Sequence, residues 1–246
     1  MDRLLYVAMS GAKQTLIAQA VNSHNVANLH TAGFRADLNQ FRSMPVFGEG
    51  LPTRVYAMSE RPGIDYTPGP IEATGRELDV AIRGEGWIAV QAPDGQEAYT
   101  RAGDLRISNH GLLETGAGHP VFGNAGPIAI PPAEKIEIGN DGTISVHPLG
   151  LSSDSLAEID RIKLVNPASE LMFKDSEGLL RYDGKEEPIA DAHVSLVPGA
   201  LERSNVNAVE AMVNMISLAR RFEMQVKMMH AAEEADRSTA SILQLS

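Results

Sequence analysis

Asn25-Val26-Ala27-Asn28-Leu29-His30-Thr31-Ala32-Gly33-Phe34-Arg35 is the stretch on which the reading of this 246-residue chain turns. It has the chemistry of a helix that stops and reverses. The Asn28 side chain either bonds the free carbonyls of the last turn or takes the left-handed backbone region itself. Gly33 permits the reversal, because glycine reaches positive φ without a Cβ penalty. Phe34 then packs back on the helix.

Upstream of this stop, residues 1–30 contain no Pro and one Gly. Leu5, Met9, Ala12, Leu16 and Ala20 step by 4, 3, 4 and 4, the spacing of one helix face, while Lys13, Gln14 and Asn22 occupy the other. A helix is therefore expected to end near Asn28. Downstream, Pro45, Gly48, Gly50, Pro52, Pro62, Gly63, Pro68, Gly69 and Pro70 break any helix over residues 35–75. So long an irregular segment pairs with something or wraps a surface.

Residues 76–200 alternate short apolar runs with turn signals. Leu78, Val80 and Ile82 alternate with Asp79, Ala81 and Arg83, and Trp87–Val90 follows across Gly84-Glu85-Gly86. Further runs are Tyr99–Arg101, Leu105–Ile107, Ile128–Ile130, Ile136–Ile138, Ile144–Val146, Ile162–Val165 and Val194–Val197. Between several of them stand Pro93-Asp94-Gly95, Asn109-His110-Gly111 and Asn140-Asp141-Gly142. This pattern predicts an antiparallel sandwich or barrel-like domain. From Asn207 to Gln244 there is neither Gly nor Pro, and Val209, Met212, Ile216, Ala219, Phe222, Val226 and Met229 recur every 3 or 4 residues. A helix of that length suggests a coiled coil.

The expected fold is therefore α+β. Residues 1–34 form an N-terminal helical segment, 35–75 an extended linker and 76–200 a mainly antiparallel β domain. Residues 201–246 form a long C-terminal helix that pairs with the first as a coiled coil. Neither helix can bury an apolar stripe alone; they pair with each other or with copies in neighbouring subunits.

Composition narrows the function. The net charge of −11 leaves no basic stripe for nucleic acid, and no apolar run is long enough to span a membrane as a helix. The absence of Cys removes disulfides, thiolate ligands and thiol catalysis. The start, Met1-Asp2-Arg3 followed by Leu4–Met9, resembles a signal peptide only faintly, since Asp2 and the early Lys13 oppose it. This leaves a mature cytoplasmic protein or one exported without a cleaved signal. The seven His, among them His24, His110, His119 and His193, form no metal-binding pair. No G-x-S-x-G occurs. Gly84-Glu85-Gly86 leads into a strand and lacks the third glycine of a dinucleotide fingerprint, so it reads as a sharp turn with Trp87 in the core. Asn140-Asp141-Gly142 lacks the later ligands of a calcium loop and reads as a hairpin turn. No catalytic residue, cofactor or metal is assigned.

Asn25–Arg35 resembles the N-terminal motif of the flagellar basal-body rod and hook proteins, Asn-x-Ala-Asn-x-x-Thr-x-Gly-Phe-Lys/Arg. Three further stretches are similar to the same family, in order: Thr74–Trp87, with Trp87 where Phe is usual; Tyr99–Leu105 followed by Gly111-Leu112-Leu113; and Leu201–Asn207. One departure is Ser23-His24, where the family commonly has Asn. The opening Met1–Ala12 and the modest length look most like its proximal-rod members. The resemblance implies a structural subunit exported by the flagellar type III apparatus without a cleaved signal. Its terminal helices would form an inner coiled-coil layer with the β domain outside. Copies would stack helically beside other rod subunits into a drive shaft through the periplasm.

The residues expected to carry subunit packing are Leu5, Met9, Leu16, Asn25, Asn28, Gly33, Phe34, Val209, Met212, Ile216, Phe222, Val226 and Met229. Rival readings are an enzyme with a carboxylate site in the β domain, a secreted β-domain binding module, and a distal-rod or hook-type sibling.

Overall fold

A computed structural model describes residues 2–45, 55–59, 63–148, 156–184 and 186–244. Gly48, Gly50, Pro52 and Pro62 lie outside the described residues. The chain divides into two compact units, one of residues 1–28, 36–65 and 206–246, the other of residues 29–35 and 66–205.

The first unit contains helix α1 (Asp2–Ala27), strands β1 (Asp37–Leu38), β2 (Phe41–Pro45), β3 (Val55–Ser59) and β4 (Gly63–Ile64), and helix α2 (Ala208–Gln244). Within the 35–75 segment, β1 pairs antiparallel with β4 and β2 with β3. Helix α1 stops where the Asn28 amide and side chain both donate to the His24 carbonyl, at 3.2 and 3.0 Å. Of the two options open to Asn28, carbonyl bonding is the one realised, since no described non-glycine residue has positive φ. Helix α2 begins at an N-cap. The Asn207 side chain accepts from the amides of Val209 at 3.0 Å and Glu210 at 3.3 Å. Glu210 adds a negative charge in the first turn. At 37 residues α2 is about 55 Å long.

The helices pack antiparallel. Asn22 of α1 donates to the Ala211 carbonyl near the start of α2 at 2.8 Å, while Gly11, earlier in α1, lies against Gln225, later in α2. The buried face of α1 is made of small residues, Ala8, Ala12, Thr15 and Ala18. A Cβ on Gly11 would sit 2.9 Å from the end of the flexible Gln225 side chain, which marks where the two helices approach. Ser10 bonds the Ala57 carbonyl of β3 at 3.1 Å, which fixes the β2–β3 hairpin on the same helix.

The second unit holds β5 (Ile71–Ala73), β6 (Val80–Arg83), β7 (Trp87–Gln91), β8 (Glu97–Thr100), β9 (Leu105–Ile107), β10 (Leu113–Thr115), β11 (Ala133–Ile138) and β12 (Thr143–Pro148). It continues with β13 (Ala157–Arg161), β14 (Leu164–Val165), β15 (Met172–Lys174), β16 (Leu180–Tyr182), β17 (Ser195–Pro198) and β18 (Ala200–Glu202). All the strand pairs are antiparallel. The largest sheet runs β14-β7-β8-β16-β15, beside a three-stranded β11-β12-β13 sheet and the pairs β17-β6, β18-β5 and β10-β9. Ile82, Ile88, Val90, Leu105, Leu113, Val121 and Ile144 are among its core residues. Ile128–Ile130 differs from expectation. It forms isolated bridges instead of a strand, with Ala129 opposite Leu112 and Pro127 opposite Phe122. Pro127, with no N–H to donate, starts this run and limits its ladder.

Candidate assembly site

Two structures in the chain bear on assembly, one in each unit. The first is a set of large apolar side chains left facing outward on the helices. Because α1 buries Ala8, Ala12, Thr15 and Ala18, the larger members of its predicted stripe point elsewhere: Leu5, Met9 and Leu16 are exposed, along with Tyr6 and Ile17. On α2 the predicted stripe winds. Its six steps from Val209 to Met229 cover 20 residues, fewer than the 3.6 per step needed to stay on one face. Val209, Met212 and Ile216 are accordingly exposed, with Val213 beside them, whereas Phe222, Val226 and Met229 are half-buried. Helix pairing within the chain thus buries small side chains most completely and leaves several bulky ones exposed.

Asn25 anchors the chain next to α1. Its Nδ2 donates to the Asp37 carbonyl at 2.9 Å and its Oδ1 accepts the Asp37 amide at 2.9 Å, so one side chain imitates a strand neighbour for β1. His24 bonds the Asp37 carboxylate at 2.7 Å.

The second structure is a buried ion clasp in the β unit. Glu202, at the end of β18, is almost fully buried. One of its carboxylate oxygens accepts from Arg35 at 2.6 Å and from the Gly69 amide at 2.8 Å; the other accepts from Arg101 at 2.9 Å. Both arginines are buried. Arg101 also donates to the carbonyls of Gly84 at 2.6 Å and Gly86 at 2.8 Å. These are the two glycines of the β6–β7 turn, with φ of +83° and +128°. The guanidinium carbons of Arg35 and Arg101 lie 5.7 and 5.1 Å from the centre of the Trp87 ring, and Tyr66 meets that ring edge-on at 6.1 Å. Two guanidinium groups are thus taken out of water against one carboxylate, a π face and backbone carbonyls.

Backbone bonds fasten the same place. The Gly33 amide donates to the Glu202 carbonyl at 2.8 Å, and the Asn205 amide to the Phe34 carbonyl at 3.3 Å. Gly33 has φ +66°, and a Cβ there would stand 2.2 Å from the Arg101 carbonyl carbon. The Phe34 ring lies under the Lys174 ammonium at 4.1 Å, and Lys174 also donates to the Arg35 carbonyl at 3.1 Å. The segment that follows α1 and the segment that precedes α2 are therefore pinned side by side. The sequence singles out Gly33 and Phe34 but not Arg35, Arg101 and Glu202 as a group; their presence in three separate motif stretches is the signal that could have joined them.

Several carboxylates of the β unit are held in ion pairs. Arg181 bonds Asp94 at 2.8 Å and Asp175 at 2.9 Å, and Lys163 bonds Glu97 at 2.7 Å. The Gln96 amide, followed by Arg181, holds the Asp94 carboxyl below the usual range. Burial, with Asp79 adding to it, holds the Asp104 carboxyl above it. Among the described residues no group of three or more His, Asp or Glu is placed to hold a metal ion, and no helix is long and apolar enough to cross a membrane.

Comparison with known proteins matches three stretches of the chain, which contain Arg35, Trp87 and Arg101, and Glu202. The family described as "Flagella basal body rod protein" matches residues 5–35, which include Arg35. "Flagellar hook protein FlgE/F/G D1 domain" matches residues 81–146, which include Trp87 and Arg101. "Flagellar basal body rod FlgEFG protein C-terminal" matches residues 197–242, which include Glu202. "Flagellar basal-body rod protein FlgF" of Escherichia coli (strain K12) is 43% identical over 252 aligned residues, with 100% of both chains covered. The protein of the same name from Salmonella typhimurium (strain LT2) is 42% identical, again over 100% of both. "Flagellar basal-body rod protein FlgG" of Bacillus subtilis (strain 168) is 29% identical, covering 95% of this chain and 96% of its own. With three family matches in order along the chain and full-length relatives above 40% identity, this chain belongs to the flagellar basal-body rod protein family.

Proposed function

We propose that the chain is a non-catalytic structural subunit of the proximal part of the flagellar rod, adding to other rod subunits and to copies of itself through its terminal helices. The observation that carries this reading is the pairing of α1 and α2 through small residues, which leaves Leu5, Met9, Leu16, Val209, Met212 and Ile216 uncovered. In water such surfaces favour association, at about 25 cal/mol for each Å² of apolar area removed. In the assembled rod the helices extend their pairing into a coiled-coil layer with neighbouring subunits. A heterologous contact of this kind repeats as a helical stack. The stack transmits torque across the periplasm, and the clasp holds the two segments adjoining the helices together under that torque.

The subunit reaches its place through the flagellar export apparatus. The absence of Cys suits such a route, since an unfolded chain entering an oxidising space carries no free thiol. Identities of 31–43% to relatives named FlgF, against 28–29% to those named FlgG, favour the proximal position over a distal one. Cryo-electron microscopy of basal bodies carrying a labelled subunit tests the reading. Density for the label is expected in the proximal rod, and its absence from the rod would overturn the assignment.

A further inference from the structure

The ten methionines are distributed very unevenly. Nine lie in residues 1–28, 36–65 and 206–246, segments that hold well under half the chain, and Met172 alone lies in the β unit. Met172 is 7% exposed, whereas Met9, Met44, Met58, Met212, Met224 and Met228 are 44–56% exposed. With no Cys in the chain, thioethers are its only sulfur. Methionine suits a face that must adapt to more than one neighbour, because its unbranched, polarizable side chain repacks easily. The six are spread over α1, β2, β3 and α2, and the same chemistry makes each reactive while it is exposed.

We infer that the exposed methionines of the terminal-helix unit form a peroxide-sensitive modification site that switches the unassembled subunit out of its association-competent state. The inference rests on the proposed role of the outward helix faces in assembly. In the reaction a hydroperoxide transfers one oxygen atom to the thioether sulfur. The S–O bond forms as the O–O bond breaks, the sulfur is oxidised by two electrons to the sulfoxide, and the hydroperoxide leaves as the alcohol or water. The product is a polar acceptor where the partner helix presents apolar carbon. Burying such an acceptor unpaired weakens association by about tenfold for each sulfoxide that reaches the contact. A sulfoxide reductase returns the thioether as two thiols are oxidised to a disulfide and the oxygen leaves as water, so the change is reversible. Subunits packed through the outward helix faces would cover Met9 and Met212, which confines the switch at those positions to free chains.

The test uses the full chain, hydrogen peroxide in graded amounts, peptide mass spectrometry and sedimentation. The six exposed methionines should oxidise first, the half-buried Met215 and Met229 later, and Met172 last. Self-association should fall by tenfold or more after treatment. A variant with Met9→Leu, Met44→Leu, Met58→Leu, Met212→Leu, Met224→Leu and Met228→Leu should associate equally before and after. Oxidation of Met172 alongside the six would show that no distinct site exists. Undiminished association of the oxidised chain would overturn the switch while leaving the assembly reading intact. Failure of the untreated chain to associate at any concentration would overturn both.

Discussion

Replacing Glu202 by Gln tests the clasp with almost no change of shape. The carboxylate receives Arg35 and the Gly69 amide on one oxygen and Arg101 on the other, at 2.6, 2.8 and 2.9 Å. A carboxamide keeps one acceptor oxygen and puts an NH2 group in the other position. Arginine offers only donors. Whichever way the new carboxamide orients, one guanidinium faces donor against donor and both lose their counter-charge. Removing one partner of a buried ion pair costs about 3–5 kcal/mol. With a urea dependence of about 2 kcal/mol per molar, the unfolding midpoint should fall by roughly 1.5–2.5 M.

Trp87 is the only tryptophan and lies against both arginines, so its fluorescence follows the transition at the clasp itself. Arg203→Ala is the control. It breaks an ion pair of similar length, Arg203 to Glu72 at 2.7 Å, but one whose two side chains are about half exposed, and it should move stability by no more than about 1 kcal/mol. Equal small shifts for Glu202→Gln and Arg203→Ala would refute the claim that burial makes the clasp structurally important.

Four further outcomes are expected. Gly33→Ala forces a Cβ onto the Arg101 backbone at positive φ and should destabilise the β unit by at least about 2 kcal/mol in the same urea assay. Asn25→Ala removes both bonds to the Asp37 backbone and should cost about 1–3 kcal/mol, with faster hydrogen exchange at the Asp37 amide. Asn207→Ala should fray the first turn of α2 at a cost of about 1 kcal/mol, read by exchange at Val209 and Glu210. Asp104 binds its proton more tightly in the native state, because burial raises its pKa. Its contribution to stability therefore declines as pH rises from the ordinary Asp range, near about 3.9, through the raised native value, and is level above that. Asp104→Asn should remove that decline, seen as a stability difference between wild type and variant that changes through this window and is constant at higher pH.

What the sequence made legible was local. The end of α1 and the start of α2 depend on Asn28 and Asn207 bonding amides and carbonyls within four residues. The turns at Gly84–Gly86 and Gly142 depend on glycines with positive φ. The clasp was not legible as a site because Arg35 and Glu202 are 167 positions apart and Arg101 and Glu202 are 101 apart. No periodicity connects such residues. Periodicity also tells which side chains share a helix face without telling which face is covered. On α1 the regular step of Leu5, Met9 and Leu16 marks the outward side, while the inward one is written in Ala8, Gly11, Ala12, Thr15 and Ala18, whose smallness carries little hydropathic contrast. Ile128–Ile130 had strand composition, yet Pro127 and single bridges kept it irregular.

The central claim is that outward apolar faces, spare in the free chain, carry incorporation into the rod. The most direct measurement is to place Met212→Glu and Ile216→Glu together in the full-length protein, both more than half exposed, and quantify the subunit in purified basal bodies. Because the positions face solvent, urea stability of the free chain should stay within about 0.5 kcal/mol of wild type for each change. This stable variant should be missing from the rod and leave cells non-motile. Basal bodies containing the variant at the wild-type amount would contradict it.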